Sequence, residues 1–75
     1  MNQVVIKIIE VSHFTLCNHI RFTMYFINGK RVSQNSYYNW LAFSEGNYKH
    51  LGSEFYSKTE GLRHRDYTVI RYQAK

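Results

Sequence analysis

The residues best suited to chemistry cluster near the C-terminus. Leu62–Tyr72 reads Leu-Arg-His-Arg-Asp-Tyr-Thr-Val-Ile-Arg-Tyr. It interleaves Arg63, Arg65 and Arg71 with Tyr67 and Tyr72, and it includes His64. A guanidinium forks onto phosphate oxygens or a carboxylate, and a tyrosine ring offers a face on which a base can stack. The composition therefore suits RNA or single-stranded DNA. It also suits an acidic protein surface. A third reading is an edge strand whose charges keep neighbouring sheets from pairing with it. Lys30 and Arg31, beside Asn28-Gly29, add a smaller basic pair.

His13, Cys17 and His19 invite a metal reading, because zinc takes cysteine and histidine in a tetrahedron. A structural site needs a fourth ligand, and no Cys-x-x-Cys or His-x-x-x-His pair accompanies them. No metal and no cofactor are expected. No nucleophile elbow of the Gly-x-Ser-x-Gly kind is present, so no catalytic residue is assigned and the protein is expected not to be an enzyme.

These residues must be positioned by a small scaffold. The chain has 75 residues, enough for one domain spanning 1–75. A core this small often needs a disulfide, a metal or a partner subunit. Cys17 is the only cysteine, so no internal disulfide forms, a homodimer is open to it, and a reducing, cytoplasmic setting is expected. Lys7 and Glu10 interrupt the apolar start, so neither a targeting signal nor a membrane partner is expected. Aromatics make up 17% and proline is absent, the reverse of a disordered chain. Ten Lys and Arg against five Asp and Glu leave a net charge of +5, which permits an acidic partner or weak, non-specific nucleic-acid binding.

The pattern of apolar residues predicts the elements. Gln3–Val11 is apolar on both faces: Val4, Ile6 and Ile8 on one, Val5, Ile9 and Val11 on the other. That is an interior strand covered on one side by something else. His19–Ile27 alternates, with Ile20, Phe22, Met24 and Phe26 facing the core and Arg21, Thr23 and Tyr25 facing away. Asn28-Gly29 then signals a hairpin. A two-residue loop pairs Ile27 with Lys30 and puts Val32 on the Tyr25 face; a three-residue loop puts Val32 beside Met24. The first has the commoner turn.

Between Asn35 and Gly61 two readings compete. Ser36–Glu45 suits a helix capped by Asn35 or Ser36, with Tyr37, Trp40, Leu41 and Ser44 on one face and Gly46 as its stop. Asn47 could cap a second helix along Tyr48, Leu51 and Phe55, although Gly52 weakens it. A β-meander with glycine turns near Gly46 and Gly61 is the rival. Tyr37, Tyr38, Trp40 and Phe43 are read as core before patch. Asp66–Gln73 reads as a closing strand. The expected fold class is α+β: a small antiparallel sheet in the order β-β-β-α(-α)-β, one or two short helices on one face, with an all-β meander as the alternative. Ile6, Ile8, Ile20, Phe22, Met24, Val69 and Ile70 are the expected core.

The stretch Leu62–Tyr72 is also similar to the arginine-rich strand of small ribonuclease toxins of the RelE type. The resemblance covers that stretch alone, and the paired helices preceding the strand in that family have no counterpart here. It implies basic and general acid–base residues acting on messenger RNA. The leading expectation is instead a non-enzymatic interaction module that binds and blocks a larger protein or ribonucleoprotein. Small orphan domains often serve mobile elements in this way, as anti-CRISPR or antirestriction inhibitors of host defence acting in the host cytoplasm. A basic nucleic-acid-binding domain is the runner-up. The binding residues assigned are Lys30, Arg31, Arg63, His64, Arg65, Tyr67, Arg71 and Tyr72; Lys58 and Lys75 are expected to help Arg63, Arg65 and Arg71 form a contiguous positive surface if the last strand lies at an edge.

Overall fold

The computed structural model describes Gln3–Lys75. Five strands and one helix follow in the order β1 (Gln3–Phe14), β2 (His19–Ile27), β3 (Lys30–Val32), α1 (Gln34–Ser44), β4 (Tyr48–Glu60) and β5 (Arg63–Ala74). The strands form one antiparallel sheet in the spatial order β3-β2-β1-β5-β4. The fold is α+β with a single helix. Among the described residues no helix is long and apolar enough to cross a membrane.

The doubly apolar β1 sits at the centre of the sheet, where both of its edges are paired. One face carries Val4, Ile6 and Ile8 with Tyr25 and Ile27 of β2 and Ile70 and Tyr72 of β5. Helix α1 lies over this face, and its Tyr37, Trp40 and Leu41 pack onto it. Ile6 is fully buried there, at 0% exposure. Tyr37 stacks on Tyr25 at 4.8 Å between ring centroids, and Trp40 meets the edge of Tyr72 at 5.0 Å. We call this the helix face and its opposite the open face.

Local sequence explains how the helix gets there. Asn28 and Gly29 both take positive φ, 52° and 82°, as a type I′ turn requires. The two-residue loop pairs Ile27 with Lys30 and sets Val32 opposite Tyr25. Val32 therefore joins the core under the helix. Asn28 also ties the turn to β1: its side-chain oxygen accepts from the Val5 N–H, 2.9 Å away. The chain then reverses at Ser33, which is the N-cap in place of Asn35 or Ser36; its hydroxyl accepts from the Ser36 N–H at 3.1 Å. Gly46, at φ +86°, follows the end of the helix as expected.

The segment after the helix is a strand. β4 runs for 13 residues along β5, with a bulge between His50 and Gly52. The glycine that weakens a helix here accompanies the bulge. Gly61, at φ +59°, opens a two-residue turn that pairs Glu60 with Arg63. β5 begins at Arg63 and ends at Ala74, longer at both ends than Asp66–Gln73.

The expected core needs one correction. Ile6 and Val69 are buried, and Ile8, Met24 and Ile70 are partly so. Ile20 and Phe22, however, are 50% and 47% exposed. The helix covers the Tyr25–Ile27 side of β2, not the side of Ile20, Phe22, Met24 and Phe26. The aromatic cluster on α1 divides likewise: Tyr37 is buried and Trp40 partly so, whereas Tyr38 and Phe43 are exposed.

Candidate interaction surface

The open face is built from alternate residues of four strands. β1 contributes Val5, Lys7, Ile9, Val11 and His13, and β2 places Phe26, Met24, Phe22 and Ile20 beside the last four of them. On the other side β5 sets Arg71, Val69, Tyr67, Arg65 and Arg63 opposite the same five β1 residues. β4 adds Glu54, Tyr56, Lys58 and Glu60 along the far margin. Arg31, opposite Phe26 on β3, completes it. The result is an apolar band along β1 and β2 bordered by a basic rail along β5.

No element of the described chain covers this band. Val11 and Val69 are buried by their own-face neighbours, but Phe22 and Ile20 remain half exposed. A shallow cleft of about 430 Å³ runs between band and rail, lined by Val11, His13, Ile20, Phe22, Met24, Arg63 and Arg65. Arg63 donates to His13 Nδ1 at 3.5 Å. Tyr56 and Tyr67 stack in parallel, with centroids 4.6 Å apart and planes 8° from each other. Arg71 donates to Glu54 Oε1 at 3.0 Å and is the only arginine of the rail in an ion pair among the described residues. Arg65 and Lys58 face each other across β5 and β4 with Glu60 and Arg63 in the next row.

β5 is not at an edge. It lies between β1 and β4, so its arginines do not guard an unpaired strand. Their charge has to be explained by the face on which they stand.

Strand alternation divides the residues assigned from sequence. Arg31, Arg63, Arg65, Tyr67 and Arg71 come together on the open face. His64 and Tyr72 point to the helix face, and Lys30, opposite Ile27, shares that side. Tyr72 is part of the core beneath Trp40. Lys58, expected from the sequence to help the arginines, stands opposite Arg65 on the open face; Lys7, Tyr56 and Phe22 belong to that face too and are not among the residues assigned from sequence. Their signal is one of register: Lys7 shares parity with Val5, Ile9 and Val11, and Tyr56 joins only once β4 is known to be a strand.

His64 belongs to a separate polar cluster, at the end of the helix face that the helix leaves bare. Its Nε2 lies 2.8 Å from Asp66 Oδ1 and its Nδ1 2.7 Å from Thr59 Oγ1. A carboxylate only accepts, so Nε2 carries the proton and, in the neutral ring, Nδ1 accepts from Thr59. Ser57 donates to the same Asp66 oxygen at 2.7 Å. The Ser57 hydroxyl, followed by the His64 contact, holds the Asp66 carboxyl below its ordinary pKa. A carboxylate–imidazole–hydroxyl chain could in principle activate the hydroxyl. Here it lies flat across two strands, with Thr59–His64 and Ser57–Asp66 bonded from β4 to β5 and His64–Asp66 bonded along β5. It works as a clamp between β4 and β5.

The candidate metal ligands do not converge. Cys17 is exposed in the β1–β2 loop, and His19 stacks on Phe14 at 4.0 Å. Among the described residues no three His, Cys, Asp or Glu side chains are placed to hold a metal ion. Comparison of the chain with protein-family models, curated proteins and solved structures gave no match in any of the three.

Proposed function

We propose that the protein is an interaction module that acts by laying its open face on an acidic surface of a larger protein partner, so blocking that surface. The observation that carries this reading is an uncovered apolar band edged by arginines, of which Arg71 alone is ion-paired among the described residues. Among the described residues, Lys7, Arg31, Lys58, Arg63, Arg65 and Arg71 share the face with only Glu54 and Glu60 as acids. Apolar centre and arginine-rich margin is the usual anatomy of a protein interface. The size is adequate as well. The molecule measures 49 × 22 × 16 Å, so its broad face offers roughly 1,000 Å². A standard interface takes about 800 Å² per partner. Phe22, flanked by Met24 and Ile20, would be the anchor, and the arginines would set the rate of encounter and the orientation. An inhibitor of a host defence system, of the anti-CRISPR or antirestriction kind, is a role that such a module can fill without chemistry of its own.

Nucleic acid as the direct ligand is the second reading, favoured by one observation. The stacked Tyr56–Tyr67 pair lies beside Lys58 and Arg65, an arrangement on which a base could stack with its phosphate held. The aliphatic band of Ile9, Val11, Ile20 and Met24 has no use in that reading, which places it second.

Fluorescence anisotropy with labelled single-stranded RNA and duplex DNA, at several salt concentrations, separates the two. Only weak, non-selective binding is expected at physiological salt, in the ~10⁻⁴–10⁻⁶ M range of phosphate contacts alone. Nanomolar, sequence-selective binding would promote the second reading. In a nuclease-treated host extract, a protein retained by the wild type should be lost with Phe22→Ser and with Arg65→Glu but kept with Tyr38→Ala, whose side chain stands on the exposed side of the helix. Equal retention by all the variants would end the open-face reading.

A further inference from the structure

We propose that the chain pairs with a second copy of itself through the outer edge of β4, joining two sheets into one continuous sheet of ten strands. This does not rest on the partner reading above, since it uses the edge of the sheet and not its face.

β4 hydrogen-bonds β5 on one side only. Helix α1 packs on β2, on Tyr72 of β5 and on Tyr48 at the start of β4, ahead of the bulge. The backbone donors and acceptors along the outer side of β4 are thus left for water or another strand. Long unpaired edges usually carry a device against pairing, such as a bulge, a proline, shortness or charged side chains, and β4 carries Glu54, Lys58 and Glu60. β4 has a bulge, but it lies between His50 and Gly52. The nine residues Gly52–Glu60 beyond it are regular and contain no proline.

Those nine residues are complementary to themselves. Tyr56 is their middle. A twofold axis through Tyr56, perpendicular to the sheet, sets each residue opposite its mirror position on the antiparallel copy. Tyr56 then meets Tyr56, Phe55 meets Ser57, Ser53 meets Thr59, and Glu54 meets Lys58 twice. Every pair shares a face, as antiparallel pairing demands. The Tyr56 rings, each already stacked on Tyr67, come together at the axis on the open face. Arg71 occupies Oε1 of Glu54, leaving Oε2 for the opposing lysine.

Neighbouring registers fail on charge. Centred on Glu54, the pairing sets Glu54 against Glu54. Centred on Ser57, it sets Glu54 against Glu60. Centred on Phe55, Glu54 and Lys58 face Tyr56 and Gly52, and both ion pairs are lost. Directly opposed like charges destabilise a sheet, and opposite charges and aromatic pairs stabilise it. The charge pattern therefore specifies the one register that also uses the whole regular stretch. In the dimer the two basic rails lie on the same face of one sheet.

Sedimentation equilibrium of the purified chain tests this. Wild type should show a concentration-dependent species of twice the 9.0 kDa chain mass. Lys58→Glu and Glu54→Lys should each weaken dimerisation by roughly tenfold or more, since two attractive pairs become repulsive. Mixed in equal amounts, these two variants should recover a heterodimer, because each supplies the charge that the other needs. A wild type that stays monomeric up to millimolar protein overturns the proposal, and so does a dimer indifferent to both substitutions. Should a variant not fold, amide exchange of the wild type decides: outward amides in Gly52–Glu60 must gain protection with rising concentration, and unchanged exchange there refutes the pairing.

Discussion

The two faces of β1 start from nearly the same sequence and end differently. Val4, Ile6 and Ile8 lie under Tyr37, Trp40 and Leu41, whereas Val5, Ile9 and Val11 look out beside Phe22 and Met24. Apolar side chains on both faces say that each face wants a cover. They do not say which face the chain itself covers. That choice is made by the turn at Asn28-Gly29, which puts Val32 on the Tyr25 side, and by Ser33, which starts the helix there. The face left over is the one carrying the arginines. A cover that the described residues do not supply is the physical ground for seeking one outside them.

Breaking each face in turn should give opposite outcomes. Ile6→Ala empties a fully buried site under the helix and should cost about 2–5 kcal/mol, a large share of what so small a domain possesses. Phe22→Ala, half exposed on the open face, should cost no more than about 1 kcal/mol and leave a cooperative melt. Thermal and urea melts of the two variants measure the gap directly. If Phe22→Ala unfolds the chain and Ile6→Ala does not, the faces have been assigned the wrong way round.

A smaller effect sharpens the role of the helix as the cover. Ser33→Ala removes the hydroxyl that accepts from the Ser36 N–H and should cost about 1 kcal/mol. Because α1 is the lid on the core, the loss should appear as weaker amide protection around Ile6 and Tyr25 as well as in the helix. The open face should keep its wild-type exchange pattern. Protection lost evenly over both faces would mean that the helix is not a separate lid.

Much of this architecture was legible in the sequence. The central place of β1, the hairpin register, the helix from Ser36 and its stripe of Tyr37, Trp40 and Leu41 all follow from period and turn chemistry. β4 was not, because Tyr48, Leu51 and Phe55 recur at helical spacing while the same segment is rich in strand-forming residues. Only pairing with β5 decides it. Phe22 was assigned to the core because a strand's period reports two faces without saying which is covered. For the surface, the arginines of Leu62–Tyr72 were found by composition. Composition could not separate Arg63, Arg65 and Tyr67 from His64 and Tyr72, although their alternation along one strand does. Tyr56 depended on β4 and stayed hidden with it.

A catalytic reading of the uncovered polar cluster would break the comparison from a different side. His64, Asp66 and Thr59 are arranged as a clamp, so His64→Ala should loosen β4 against β5 slightly and change no reaction. Incubation with ribosomes, messenger RNA and plasmid DNA should show no cleavage by the wild type. Cleavage that vanishes in His64→Ala would replace the interaction module with a nuclease.

The smallest expected effects lie at the two ends of the pH scale, and they divide between the covered and uncovered regions. Burial, followed by the neighbouring Tyr72, Tyr25 and Tyr38, pushes the Tyr37 phenol above its ordinary value. Its neutral form is favoured in the folded chain, so the stability it contributes is complete below the unfolded value of ~10 and is lost as pH rises through the higher folded one. Asp66 runs the other way. Its carboxyl is held below the ordinary value by Ser57 and His64, so its contribution is present above the unfolded value and is lost as pH falls through the lower folded one. Asp66 is solvent-exposed, which keeps its share small. Alkali should therefore loosen the helix-covered core first, and acid the bare end of the same face. Melts across pH should show Tyr37→Phe flattening the alkaline limb and Asp66→Asn flattening the acid limb, each leaving the other limb unchanged. Should Asp66→Asn leave the acid limb as steep as in the wild type, protonation of Asp66 is not what loosens β4 from β5 in acid.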